Sequence, residues 1–166
     1  LEQKDEKIEL LPEKNNLVII LDGVEKPGNI GAILRSCDAA KVDLIIINNQ
    51  KCDLYNRNVI RSSLGTIFSQ KIIIDDYEST YNFLKKNNLN VYATSLKGKK
   101  NIDKINYNKS CAVVVGSENL GISKFWYTKS DELIKIPMLG SIDSLNVSVS
   151  TAIALYEINR QNDFHR

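Results

Sequence analysis

The sequence predicts an α/β protein, a mostly parallel sheet with helices on both faces. Three observations carry that expectation. Short apolar runs rich in β-branched residues recur along the 166-residue chain, as strands buried on both faces of a parallel sheet require. Stretches with apolar residues at helical spacing lie between them. Polar, glycine-containing segments punctuate the joins. Strands alternating with helices in this way are the pattern of a parallel α/β sheet.

The elements follow in order. Leu17-Val-Ile-Ile-Leu21 is the first buried strand. The turn Lys26-Pro27-Gly28 comes next and places Asn29 at a helix N-cap, with Ile30, Ile33, Leu34 and Cys37 as the buried stripe of that helix. A second strand is expected near 43–47, a helix over 56–64 ending at Gly65, a third strand at 72–74 and a helix over 77–86. Further strands fall at 91–95 and 111–115, the latter ending at Gly116, and the last strand at 133–136 precedes a loop and a final helix over 147–158. In such sheets ligands bind beyond the carboxyl ends of the strands. Three polar loops lie there, at 27–31, 116–121 and 138–146.

Composition narrows the class. At 43% apolar and 25% charged residues, the chain has the make-up of an ordinary globular domain able to bury a core without staples. No apolar run approaches the roughly 18 residues of a membrane span and no signal peptide is visible, so the expectation is a cytoplasmic protein with no membrane partner. Cys37, Cys52 and Cys111 are widely spaced and form neither a disulfide framework nor a metal motif, and the one histidine, His165, stands beside the C-terminus, so no metal site is expected. Net charge is only +2, so any binding of a polyanion would rest on a local basic surface; Lys97, Lys99 and Lys100 are a candidate patch or a solvated loop. Residues 1–14 are charged and weakly patterned, which suggests a linker or tail ahead of a single domain over 15–166. The start at Leu1 instead of methionine suggests that something is missing upstream.

Three constellations stand out, each with a plain structural reading beside it. In Asn29-Ile-Gly-Ala-Ile-Leu-Arg35, capping explains Asn29. Arg35 lies roughly 140° around the helix from Ile30, off the buried stripe, where a surface arginine is unremarkable in itself. Gly116-Ser-Glu118-Asn-Leu-Gly121 follows a strand, where glycines allow close approach to backbone. It is neither a dinucleotide fingerprint nor a phosphate loop, which disfavours a nucleotide-dependent α/β enzyme, and a plain turn with an exposed Glu118 would account for it. Ile136-Pro-Met138 followed by Ser144-Leu-Asn146-Val-Ser148 feeds several polar side chains into a helix apolar nearly all round. Such a helix must be covered on several sides, and the polar groups ahead of it then need partners. Capping by Ser144 or Asn146 explains one of them and not the cluster.

Together these segments resemble the three motifs of the SpoU/TrmH family: Asn-x-Gly-Ala-x-x-Arg, Gly-x-Glu-x-x-Gly, and Ile-Pro-Met with Ser-Leu-Asn-Val-Ser, in the family's order and with family-like spacing. Arg61-Ser-Ser-Leu-Gly65 also resembles a family segment, and the likeness runs from about Leu17 to Arg160. The resemblance implies the SPOUT α/β-knot, whose C-terminal segment threads a loop to form a trefoil, and a homodimer packed at its active sites. It implies S-adenosylmethionine as cofactor and a ribose 2′-hydroxyl in ribosomal or transfer RNA as methyl acceptor. The alternative is a catalytically inactive RNA-binding or dimerisation module of the same fold.

By the same resemblance Asn29, Arg35, Glu118, Ser144 and Asn146 form the catalytic group. Backbone around Thr94, Ser95, Leu96, Gly116, Ile136 and Leu145 would hold the cofactor. Some schemes for relatives make the arginine a base. A free guanidinium holds its proton too tightly for that to be easy, and gripping a phosphate or a developing oxyanion suits it better. Two departures are visible: many relatives carry an N-terminal RNA-binding domain, and Lys26 stands where relatives often have an acidic residue. The second is expected to affect only a turn.

Overall fold

The computed structural model describes residues 11–12, 15–107 and 109–164; most of the expected tail, and His165, lie outside them. Seven strands form one sheet in the order β3-β2-β1-β6-β4-β7-β5. They are β1 (Leu17–Asp22), β2 (Leu44–Asn48), β3 (Ile72–Ile74), β4 (Asn90–Thr94), β5 (Lys100–Asn101), β6 (Cys111–Gly116) and β7 (Glu132–Lys135). Every pairing is parallel, so the expected mostly parallel sheet is parallel throughout. All six residues of β1 are buried, and its partners are β2 on one side and β6 on the other. That is the position a continuous apolar run demands.

The helices are α1 (Pro27–Ala39), α2 (Arg57–Ser62), α3 (Tyr77–Lys86), α4 (Lys124–Lys129) and α5 (Val147–Gln161). Alternation along each strand sends side chains to opposite faces. Leu17, Ile19 and Leu21 join Ile33 and Leu34 of α1, Val59 of α2 and Leu155 of α5 in one core layer. Val18 and Ile20 join Leu84 of α3 and Trp126 of α4 in the other. Among the described residues no helix is long and apolar enough to cross a membrane.

Besides the two-residue edge strand β5, which the sequence did not show, two features depart from the expected reading. Asn29 is not an N-cap: the cap position is Lys26, without a side-chain cap bond, and Pro27 opens α1. Proline has its φ preset for a first helical residue and no N–H to leave unpaired there, so the helix starts early and Asn29 falls inside its first turn. The expected loop over 27–31 is therefore helix. The second departure is α4, which the sequence pattern did not separate from the preceding loop. Ser123 caps it by accepting from the Trp126 N–H, and Trp126 is its one buried residue.

Candidate active site

The carboxyl ends of β1, β6, β4 and β7 lie side by side. Asp22 is level with Gly116, Ala93 with Val114 and Thr94 with Ile134. The chain leaving each of these strands supplies one part of the site. After β1 comes the first turn of α1 with Asn29; after β6, the segment 117–121 with Glu118; after β7, the segment 136–146 with Ser144 and Asn146.

Two contacts tie these segments together. Asn146 Nδ2 donates to Asn29 Oδ1 at 3.2 Å, and Lys26 Nζ meets the Glu118 carboxylate at 3.0 Å. Asn146 is the N-cap of α5: its Oδ1 accepts from the Ser148 backbone N–H at 2.9 Å and from Ser148 Oγ at 2.7 Å. That fixes which end of the Asn146 amide donates, and so makes the Asn29 oxygen the acceptor. Asn29 Nδ2 is left buried with no acceptor, an arrangement worth roughly 1–3 kcal/mol of lost hydrogen bonding unless an oxygen reaches it. Ser144 is exposed on the segment between β7 and α5.

The ion pair corrects the expectation for Lys26. The residue does more than shape a turn, because it holds the Glu118 carboxylate against the start of α1. Gly116 explains why the second motif needs its glycines. A Cβ there would run into the backbone of Gly121 and Ile122, where Ser117 and Gly121 exchange backbone hydrogen bonds at 3.1 and 2.9 Å, and Gly121 itself has φ +70°.

Arg35 stands apart from this cluster. It is exposed on α1 and lines a cavity of about 350 Å³ with Ala32, Ser36, Ala39, Ser62 and Tyr156. Six residues separate it from Asn29, roughly 9 Å along the axis and about 120° around it. Within one chain, then, Asn29 meets Asn146 and Glu118 reaches Lys26 at the start of the same helix, and Arg35 faces a different side.

The expected cofactor residues share one end of the sheet. Thr94 closes β4, its Oγ1 donating to Val114 O at 3.1 Å, and the Ser95 N–H donates to Ile134 O at 2.9 Å. Leu96 follows, 64% exposed. Gly98 behind it is packed so tightly that a Cβ would sit 2.7 Å from the Ile134 carbonyl carbon. Gly116 ends β6, while Ile136 and Leu145 bracket the segment after β7, both half-buried. Leu96, Leu120, Leu139 and Ile142 are all large apolar side chains left exposed on the segments at these strand ends. Backbone polar groups beside uncovered apolar surface suit a ligand with a flat heteroaromatic ring and a short polar arm, and S-adenosylmethionine fits that description.

The sequence did not reveal Asp22. Buried at the end of β1, it accepts from the Ser123 N–H at 2.6 Å and from Tyr77 Oη at 2.8 Å, which pins the chain just past the second motif. Burial, and then donation to Asp22, push the Tyr77 hydroxyl above the usual phenol range. Beside it Asn48 accepts from Trp126 Nε1 at 3.0 Å and donates to Thr80 Oγ1 at 2.8 Å. A polar residue closing an apolar strand was the available signal for both. Of the candidate basic patch, Lys100 is paired with Glu132 at 2.8 Å.

Comparison with known proteins places these features. A relative in Borreliella burgdorferi, called an uncharacterized tRNA/rRNA methyltransferase, is 39% identical over 151 residues, 90% of this chain and 66% of its own length. The crystal structure of an RNA 2′-O ribose methyltransferase matches with TM-score 0.87 and 36% identity, over 96% of this chain and 62% of that one. The SpoU methyltransferase AviRb of Streptomyces viridochromogenes, crystallised with AdoMet, matches with TM-score 0.91 and 26% identity, over 99% and 64%. The chain thus spans about two thirds of the length of these relatives. The family model for SpoU rRNA methylases matches residues 16–156, and the chain belongs to that family.

Proposed function

We propose that the chain transfers a methyl group from S-adenosylmethionine to a ribose 2′-hydroxyl in transfer or ribosomal RNA. The observation that carries this reading is the meeting of the three motif segments at adjacent strand ends, through Asn29–Asn146 and Lys26–Glu118. The chemistry supplied by bound S-adenosylmethionine is an electrophilic methyl group on a sulfonium centre. The segments containing Thr94, Ser95, Leu96, Gly116, Ile136 and Leu145 hold it, mostly through backbone groups.

The chain's own residues then position the acceptor. Fixing a hydroxyl in line with its target can supply about 7–11 kcal/mol of the barrier. Asn29, tied to Asn146, holds the first turn of α1 against the segment after β7. Glu118 orients the 2′-hydroxyl, and Ser144 and Asn146 keep the segment after β7 in place. Arg35 grips a phosphate and stabilises charge growing on the 2′-oxygen, a role that leaves its own proton in place.

Because Arg35 faces away from Asn29 within one chain, the complete site is assembled in a homodimer. The exposed Val149, Ile153 and Tyr156 of α5 beside the Arg35 cavity support that assembly. The test is calorimetric titration with S-adenosylmethionine, followed by transfer of labelled methyl to total RNA and nuclease mapping of the product. Tight cofactor binding with label in 2′-O-methyl nucleotides is expected. Label in bases would refute the reading, and binding without any transfer would favour the inactive module.

A further inference from the structure

On the α2 side of the sheet the chain exposes an aromatic pair that neither the core nor the proposed chemistry uses. Tyr55 and Phe68 stack with ring centroids 6.3 Å apart and planes 26° from parallel, yet Tyr55 is 46% and Phe68 60% exposed. Tyr55 also walls a cavity of about 430 Å³ with Gln50, Lys51, Cys52, Asp53 and Ile74. Apolar rings that fold outward instead of into a core mark a surface with a partner.

The charges around the pair say what kind. Arg57 and Arg61, both exposed, stand four residues apart on α2 and so share one of its faces. Arg57 is two residues from Tyr55, and Lys51 lines the cavity that Tyr55 walls. Asp53 also lines that cavity and sets one negative charge against these cations; its carboxylate accepts from the Tyr55 backbone N–H at 3.0 Å and so shapes the turn as well. At the other end Arg61 adjoins Ser62, which lines the cavity holding Arg35. Gly31 makes that closeness possible, since a Cβ there would lie 2.6 Å from Val59 O and 2.8 Å from the Ser63 nitrogen of the neighbouring segment. Four cations, Lys51, Arg57, Arg61 and Arg35, thus stand on or beside the segments that carry the aromatic pair and the Arg35 cavity.

We propose that Tyr55 and Phe68 form a stacking platform for an unpaired base of the RNA substrate, its backbone tracked by Lys51, Arg57 and Arg61 toward Arg35. Aromatic faces beside a cationic track are how single-stranded nucleic acid is held, whereas duplex RNA keeps its base faces stacked and offers shape and backbone instead. The substrate class is accordingly a loop or single-stranded stretch, with an unstacked base a few nucleotides from the methylated ribose. The proposal rests on the chain being an RNA methyltransferase; failure of that reading would show separately, as no S-adenosylmethionine binding by the unmodified chain.

The test is fluorescence anisotropy with an unstructured ten-nucleotide RNA of mixed sequence and a duplex of equal length. The unmodified chain should prefer the single strand. The Tyr55→Ala/Phe68→Ala double variant should lose about tenfold or more in single-strand affinity, with cofactor affinity and melting temperature unchanged, while Tyr55→Phe, which keeps the ring, stays within about twofold. Arg57→Ala should weaken both RNAs. No single-strand binding by the unmodified chain, or a double variant within twofold of it, overturns the proposal. An equal loss for duplex does the same. A double variant that turns from dimer to monomer in light scattering assigns the patch to a second copy of the chain and also overturns it.

Discussion

Arg35 is the residue on which the proposed chemistry turns, and its setting makes a sharp test possible. It is exposed, on a helix whose buried face is made by Ile30, Ile33, Leu34 and Cys37, so removing it costs the fold little. Arg35→Ala is expected to abolish methyl transfer while leaving cofactor affinity within about threefold, under ~1 kcal/mol. Arg35→Lys should rescue little, because one ammonium cannot reproduce the guanidinium fork. Near-normal turnover by either variant at saturating RNA would remove Arg35 from the mechanism. Tyr77 offers a test of a different kind. Its phenol is held above the usual range by burial and by donating to Asp22, so the folded state retains a proton that the unfolded chain loses first. The stability this supplies is intact below the ordinary tyrosine value near pH ~10 and drains away as pH rises beyond it. Urea unfolding at pH 8 and pH 11 should show a smaller alkaline loss for Tyr77→Phe than for the native chain. The variant should also be weaker at pH 8, by roughly 1–3 kcal/mol, since Asp22 loses a partner. Equal alkaline losses in the two proteins would exclude Tyr77 as a contributor.

At the scale of elements, glycines decide how closely segments approach. Gly31→Ala places a methyl against the backbone of 59–63, which cannot yield as a flexible side chain would, and a cost of about 1–3 kcal/mol is expected in thermal unfolding. Gly116→Ala should instead displace the segment 117–121 and lower cofactor affinity more than stability; an unchanged titration curve would show that the segment is not part of the binding site. What the sequence made legible follows the same physics. The strand β1 and the helix α3 were readable because each owes its form to its own pattern: a continuous apolar run in one, and in the other an Asp76 cap accepting from the Ser79 N–H. The helix α4 was not, because with six residues and a single buried one, Trp126, it has no periodicity to read. Its place depends on Asn48, distant in sequence, which holds the indole. Asn29 was read as a helix cap, but the proline two residues earlier outcompeted it as the helix start. The ion pair between Lys26 and Glu118 was invisible because it joins two segments that only the parallel pairing of β1 and β6 brings level.

For the whole molecule, the proposed chemistry requires Arg35 to act on the same ribose as Asn29, Asn146 and Glu118, although Arg35 and Asn29 face different sides of α1. The helix α5 was expected to need cover on several sides, and in a single chain it has cover on one. Val147, Thr151, Ala154, Leu155 and Ile158 are buried, whereas Val149, Ile153 and Tyr156 remain 46%, 36% and 47% exposed. Tyr156 also walls the Arg35 cavity, so uncovered apolar surface and the isolated arginine occupy one face. A two-fold pairing through that face would bury the apolar residues and carry each Arg35 toward the partner's side in the same step. An interface of this kind, made between obligate partners, should exceed roughly 2,000 Å² in total. The native chain should therefore have a dimeric mass in light scattering at micromolar concentration. Ile153→Asp with Tyr156→Asp should give a folded monomer, because neither side chain belongs to the buried core of the protomer. That monomer should still melt cooperatively but should lose methyl transfer far beyond any change in its cofactor affinity. A native chain that is monomeric, or a monomeric variant that methylates RNA at the native rate, would mean that one protomer holds a complete site and that Arg35 reaches its substrate by another route.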